Sequence, residues 1–123
     1  MASADVALKD AMMIEGAVGA ALVDYTSGMA LGTLGGSKDL DLAVAAAGNT
    51  DVVRAKMRTL ETLGIQDAIE DILITLGSQY HVIRPLAGSA GQGLFLYLVL
   101  DRARANLAMA RHQLKRIEHE VDM

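Results

Sequence analysis

The chain has 123 residues, enough for one domain with a core of its own, and no cysteine, which excludes a disulfide framework, a thiolate nucleophile and the usual structural zinc sites. A net charge of −4 and an aromatic content of 3% argue against a nucleic-acid surface, which needs clustered cations and rings on which bases can stack. Hydrophobic residues make up 52% of the chain, a high share for so short a chain, and it points to apolar surface covered by a second subunit.

No apolar run approaches the roughly 20 residues that a membrane helix needs, so no membrane insertion is expected. The N-terminus is acidic and lacks a cationic segment ahead of an apolar one. A signal peptide is therefore not expected, and a cytoplasmic location is.

Ser3 is placed to cap a first helix reaching about Glu15, with Gly16 past its end and Ala4, Leu8, Ala11 and Met12 on one face. Ala17 to Val23 reads as a strand, Asp24 to Gly28 as a turn cluster, and Met29 to Leu34 as the returning strand. Gly35 to Lys38 breaks the chain, and Asp39 is the expected N-cap of a long helix ending near Leu63. Gly64 follows. Ile69 to Leu76, rich in β-branched residues, is the third strand, and Gly77-Ser78 suits a type II′ hairpin. Gln79 to Leu86 is the fourth, ending at Pro85, which cannot donate to a central ladder.

Leu94 to Leu100, LFLYLVL, is apolar at every position. A strand without alternation is covered on both faces, which calls for three layers with helices on each side of one sheet. Arg102 to about Val121 closes the chain as a helix. Its seam Ala103, Leu107, Ala110, Leu114, Ile117, Val121 is too short for a coiled coil and suits docking on the sheet. Arg102, Arg104, Arg111, Lys115, Arg116, Glu118 and Glu120 make up a solvated face. The order α-β-β-α-β-β-β-α carries no linker or repeat, so residues 1–123 read as one α+β domain.

The middle helix has an apolar arc of Leu42, Ala46, Val53, Met57 and Leu60, widened by Ala45, Val52 and Leu63. Asn49 and Lys56 fall inside it, as a snorkelling edge or as a register-setting pair at an interface. Asp51, Arg54, Arg58 and Glu61 lie opposite. Gly48, in the run Ala45-Ala46-Ala47-Gly48, costs about 1 kcal/mol against alanine in a helix interior, and the close approach of another backbone is a natural reason for it.

Catalytic constellations are not convincing. Gly88 to Gly93 is glycine-rich but lies between two strands, where no helix N-terminus is aimed at a phosphate, and reads as a hairpin loop. Gly35-Gly36-Ser37-Lys38 lacks P-loop spacing. His112 and His119 share a helix face without a carboxylate at zinc-ligand spacing. His81 reads as a packing or hydrogen-bonding residue, and Ser27 has no histidine or acid partner in a recognisable arrangement. The chain is expected to be no enzyme and to hold no cofactor or metal.

The element order, the hairpin ALVDYTSGMALG and the block YHVIRPL…FLYLVLDRARANLAMAR together resemble the roadblock/dynein light chain family, over essentially the whole chain. The resemblance implies a profilin-like α/β/α sandwich: a five-stranded antiparallel sheet of order 2-1-5-4-3, first and last helices on one face, middle helix on the other. It implies a homodimer joined third strand to third strand, with the two middle helices side by side. It also implies a regulator or scaffold that binds a small Ras-like GTPase in a bacterial signalling or polarity system.

On that footing Ile72, Leu73 and Ile74, with Asn49 and Lys56, are the expected dimer interface. Asp51, Arg54, Arg58 and Glu61 are the expected partner-binding face. An arginine finger from Arg54 or Arg58 is conceivable, but ion pairs Asp51–Arg54 and Arg58–Glu61, three residues apart, are the expected arrangement. The alternative is a small-molecule sensor, because PAS and GAF domains share this sheet order, although aromatics for a pocket are few. A passive adaptor is a third option.

Overall fold

The structure, a computed structural model, describes residues 3–87 and 93–121. The expected loop Gly88–Gly93 therefore lies, for residues 88–92, outside the described residues. The elements are α1 (Ala4–Met12), β1 (Ala17–Asp24), β2 (Met29–Gly35), α2 (Leu42–Leu63), β3 (Ile72–Thr75), β4 (Gln79–Pro85), β5 (Leu94–Asp101) and α3 (Leu107–Glu120). The five strands form one antiparallel sheet in the order β2-β1-β5-β4-β3, as the resemblance implied.

β5 is the centre of the sheet. Leu94, Leu96, Leu98 and Leu100 turn to the face covered by α1 and α3, where they meet Leu8, Ala11, Leu114 and Ile117. Phe95, Tyr97 and Val99 turn to the α2 face, against Leu42, Ala46 and Val53. Both halves of the alternation are buried, which is why the strand shows no polar period.

The ends of several elements differ from the sequence reading, each for a local reason. Ser3 caps α1 as expected, with its side chain accepting from the Val6 N–H, but α1 stops at Met12, because the chain must turn through Gly16 (φ 88°) to enter the sheet. Asp41, not Asp39, caps α2, its carboxylate accepting from the N–H groups of Ala43 and Val44 at 3.0 and 3.2 Å. Asp39 instead sits in a turn closed between Ser37 and Leu40. Gly64 ends α2 with φ 71°, where an L side chain would be strained.

α3 begins at Leu107 rather than Arg102. The Asp101 carboxylate accepts from Ala103 and its carbonyl from Arg104 and Ala105, winding residues 102–105 into a turn, and Asn106 supplies the cap. Ala103 therefore drops out of the expected seam, while Ala110, Leu114 and Ile117 are buried on it.

β3 is half the expected length. In the β3–β4 register Ile72 faces Ile83, so Glu70 would face Pro85. Leu86 donates its N–H to Leu94 on the β5 side, so by alternation residue 85 would donate toward β3, and proline has no proton there. The ladder stops at Ile72, and the chain ahead of it leaves the sheet.

Candidate functional site

Two features single out one edge of the molecule. β3 pairs only with β4, and its four residues ILIT carry no charge that would discourage pairing with another strand. Leu76 donates to Gln79 at 2.8 Å, and the alternation from that bond turns the N–H and C=O of Ile72 and Ile74 toward β4. Those of Leu73 and Thr75 face outward, unpaired. The side chains of Ile72 and Ile74 pack on the α2 side of the sheet, while Leu73 is exposed on the other.

α2 leans toward the opposite edge, packing on β1 and β2. Ala47 approaches the β1–β2 turn at Gly28, whereas the Asn49 amide meets Tyr97 on β5. The flank bearing Ala45, Asn49, Val52 and Lys56 therefore looks toward β4 and β3, over sheet surface that α2 itself does not cover. A Cβ added at Gly48 would meet nothing within 4 Å. No contact among the described residues explains a glycine there.

A polar track runs across this uncovered surface. His81 sits between Gln79 and Tyr97: its Nε2–H donates to the Gln79 Oε1 at 2.9 Å, which leaves Nδ1 to accept from the Tyr97 hydroxyl, also at 2.9 Å. Burial pushes the His81 pKa below 6.5 and the Tyr97 pKa up, with Asn49 offsetting part of the second shift. Both shifts favour the neutral form, as burial of an imidazole and a phenol does.

The expected dimer residues Ile72, Leu73, Ile74, Asn49 and Lys56 thus fall along one side, from the β3 edge to the facing flank of α2. The expected partner residues Asp51, Arg54, Arg58 and Glu61 are all exposed on α2, and Arg54 lies about 140° around the helix from Asn49. On α2, Asn49 and Lys56 therefore occupy a different face from Asp51, Arg54, Arg58 and Glu61. The expected ion pairs Asp51–Arg54 and Arg58–Glu61 are not among those formed by the described residues.

One cluster was missed. Arg84 on β4 is 6% exposed, on the α3 face of the sheet. Its Nε donates to Glu118 Oε1 at 2.7 Å, and the other Glu118 oxygen accepts from the Ala87 N–H at 2.8 Å. Its Nη1 lies 3.8 Å from Asp71, whose carboxylate also accepts from Arg111 Nε at 2.7 Å. Asp71, immediately before β3, holds the Arg111 pKa above its ordinary value. Glu118 and Arg111 are therefore not simply part of a solvated face: they tie α3 to β4 and to the start of the edge strand. The only advance signal was an arginine directly after the apolar pair Val82-Ile83 in β4.

His112 and His119 are exposed. Among the described residues no group of three or more His, Asp or Glu side chains is placed to hold a metal, and no helix is long and apolar enough to cross a membrane.

No protein-family model matches the sequence, and no curated protein does. The fold is similar to the Roadblock/LC7 domain from Streptomyces avermitilis, with TM-score 0.79 at 15% identity, covering 98% of this chain and 95% of that one. It is similar to MglB from Myxococcus xanthus, with TM-score 0.74 at 19% identity, covering 93% and 77% respectively. It is also similar to the gliding protein MglB from Thermus thermophilus, with TM-score 0.70 at 22% identity, covering 96% and 90%.

Proposed function

From the premise that this chain has the roadblock fold, we propose that it is a non-enzymatic regulatory or scaffold protein. It works as a homodimer that binds a small Ras-like GTPase and modulates its nucleotide cycle, in the cytoplasm of a bacterium. The observation that carries the dimer is the uncharged, unpaired β3 edge, continuous with the sheet surface that α2 leaves uncovered. A second copy related by a two-fold axis would pair β3 with β3 through Leu73 and Thr75 and lay its own α2 beside the first. Gly48 then has its reason, since a helix without a side chain at that point lets another helix come close.

The two α2 helices would present Asp51, Arg54, Arg58 and Glu61 on the side away from the pairing flank. That leaves a mixed-charge surface free for a partner after dimerisation. The GTPase enters through the resemblance, and the likeness to a gliding protein supports a polarity or motility setting. The sensor alternative is the weaker reading, because the middle of the layer between α2 and the sheet is filled by Val53, Phe95, Tyr97 and Val99.

The test is a pull-down and turnover assay with the small GTPase encoded nearest this gene. Binding to one nucleotide state, weakened by charge reversal at Arg54 and Arg58, is the expected outcome. An unchanged hydrolysis rate with binding intact makes the protein an adaptor. Absence of binding in both nucleotide states ends the GTPase reading.

A further inference from the structure

The connection between α2 and β3 has a property that neither pairing nor the α2 face uses. From Ile65 to Asp71 the chain runs without helix, turn or bend. Gln66 to Glu70 makes, among the described residues, no hydrogen bond through its backbone. Running without turn or bend, it offers N–H and C=O groups that are unpaired among the described residues, where Pro85 denies it a place in the sheet.

Where this segment splays away, a cavity of about 430 Å³ opens between it, the last turns of α2 and the end of β4. Met57, Leu60, Ile69, Pro85 and Leu86 supply apolar wall. Among the described residues that line it, the charged side chains are two carboxylates, Glu61 and Asp67, with no lysine or arginine.

We propose that this cleft docks an extended peptide segment of a partner protein in which a basic residue follows an apolar one at two places' distance, so that both fall on one face of the strand. Each part of the site asks for one part of such a peptide. The free backbone of Gln66 to Glu70 takes the peptide's main chain as an added strand. The cavity takes an apolar side chain, and the residue two places on, on the same face of the strand, brings a lysine or arginine to Asp67 and Glu61, which line that cavity. A small apolar amine would match the cavity and the charge but leave the row of backbone groups unused, so the peptide accounts for more of what is there. The site goes beyond the α2 surface and does not depend on pairing through β3.

The experiment is fluorescence anisotropy on the full chain with a labelled peptide of Leu-Ser-Lys-Ser repeats, which puts leucine and lysine on one face. Its controls are the same peptide with glutamate in place of lysine and the same peptide N-methylated at alternate residues. Saturable binding of the parent peptide is expected, with both controls failing. Asp67→Asn should weaken it by about threefold, as loss of one partly screened ion pair does. Ala68→Phe, at an exposed position lining the cavity, should abolish binding while leaving the melting temperature unchanged. The proposal is overturned if the parent peptide does not bind saturably, if either control peptide matches it, or if the folded Ala68→Phe protein binds as well as the wild type. Leu73→Lys, which probes pairing at β3, should leave peptide affinity unaltered, so the two ideas can fail separately.

Discussion

Arg84 and His81 lie on opposite faces of the same strand, and each shows what a buried polar side chain demands. Arg84 is stable in the core because two carboxylates share its charge. Breaking such a pair from one side leaves a charge without a partner, which costs more than removing both. Glu118→Ala should lower stability by about 3 kcal/mol, read as a fall in the urea midpoint. The double variant Arg84→Met with Glu118→Leu should lose less than the single one, and equal losses would show that the network is not the cause.

His81 contributes with the opposite sign to a histidine paired with a carboxylate. Its folded pKa lies below 6.5 because burial disfavours the imidazolium, so the unfolded chain binds the extra proton first. Stability should therefore fall as pH drops below 6.5 toward the lowered folded value, and be regained above it. In urea titrations across that range, His81→Gln should lose this part of the pH dependence. A helical wheel could not separate Glu118 from its solvated neighbours, because its partner is 34 residues away in sequence.

At the scale of elements, the kinds and order were legible and the ends were not. The apolar run of β5 and the seam of α3 reported burial directly. The N-terminal limit of α3 depended on a competition between Asp101 and Asn106 as turn and cap residues, which composition alone leaves open. Likewise β3 lost three residues at its start to a missing proton on Pro85, a fact about a neighbouring strand.

Gly48 belongs to this scale too. Gly48→Ala should stabilise α2 by up to about 1 kcal/mol, since the added methyl meets nothing in the subunit. Gly48→Leu should instead weaken self-association while the helix content stays. Unchanged association in Gly48→Leu would move the helix–helix contact elsewhere.

For the whole molecule, the sheet divides two cores of unequal completeness. The α1–α3 side is closed by two helices, whereas the α2 side has one helix set toward β1 and β2, with Ile72, Ile74, Gln79 and His81 only half covered. Sedimentation at micromolar concentration should give twice the 13.0 kDa of one chain. Leu73→Lys should shift it to the monomer, as an edge charge does to strand pairing. A monomer in the wild-type protein would remove the dimer reading altogether.

The sequence by itself determined the elements, their order and the three-layer architecture, because hydrophobic period and turn chemistry are local and survive in one dimension. It also located the apolar edge and the unexplained glycine. Only the tertiary structure decided where elements end, which polar residues are buried together and where a cleft opens. Those outcomes depend on what lies opposite: Pro85 across from Glu70, Arg84 beneath Glu118, α2 over one half of a sheet and not the other.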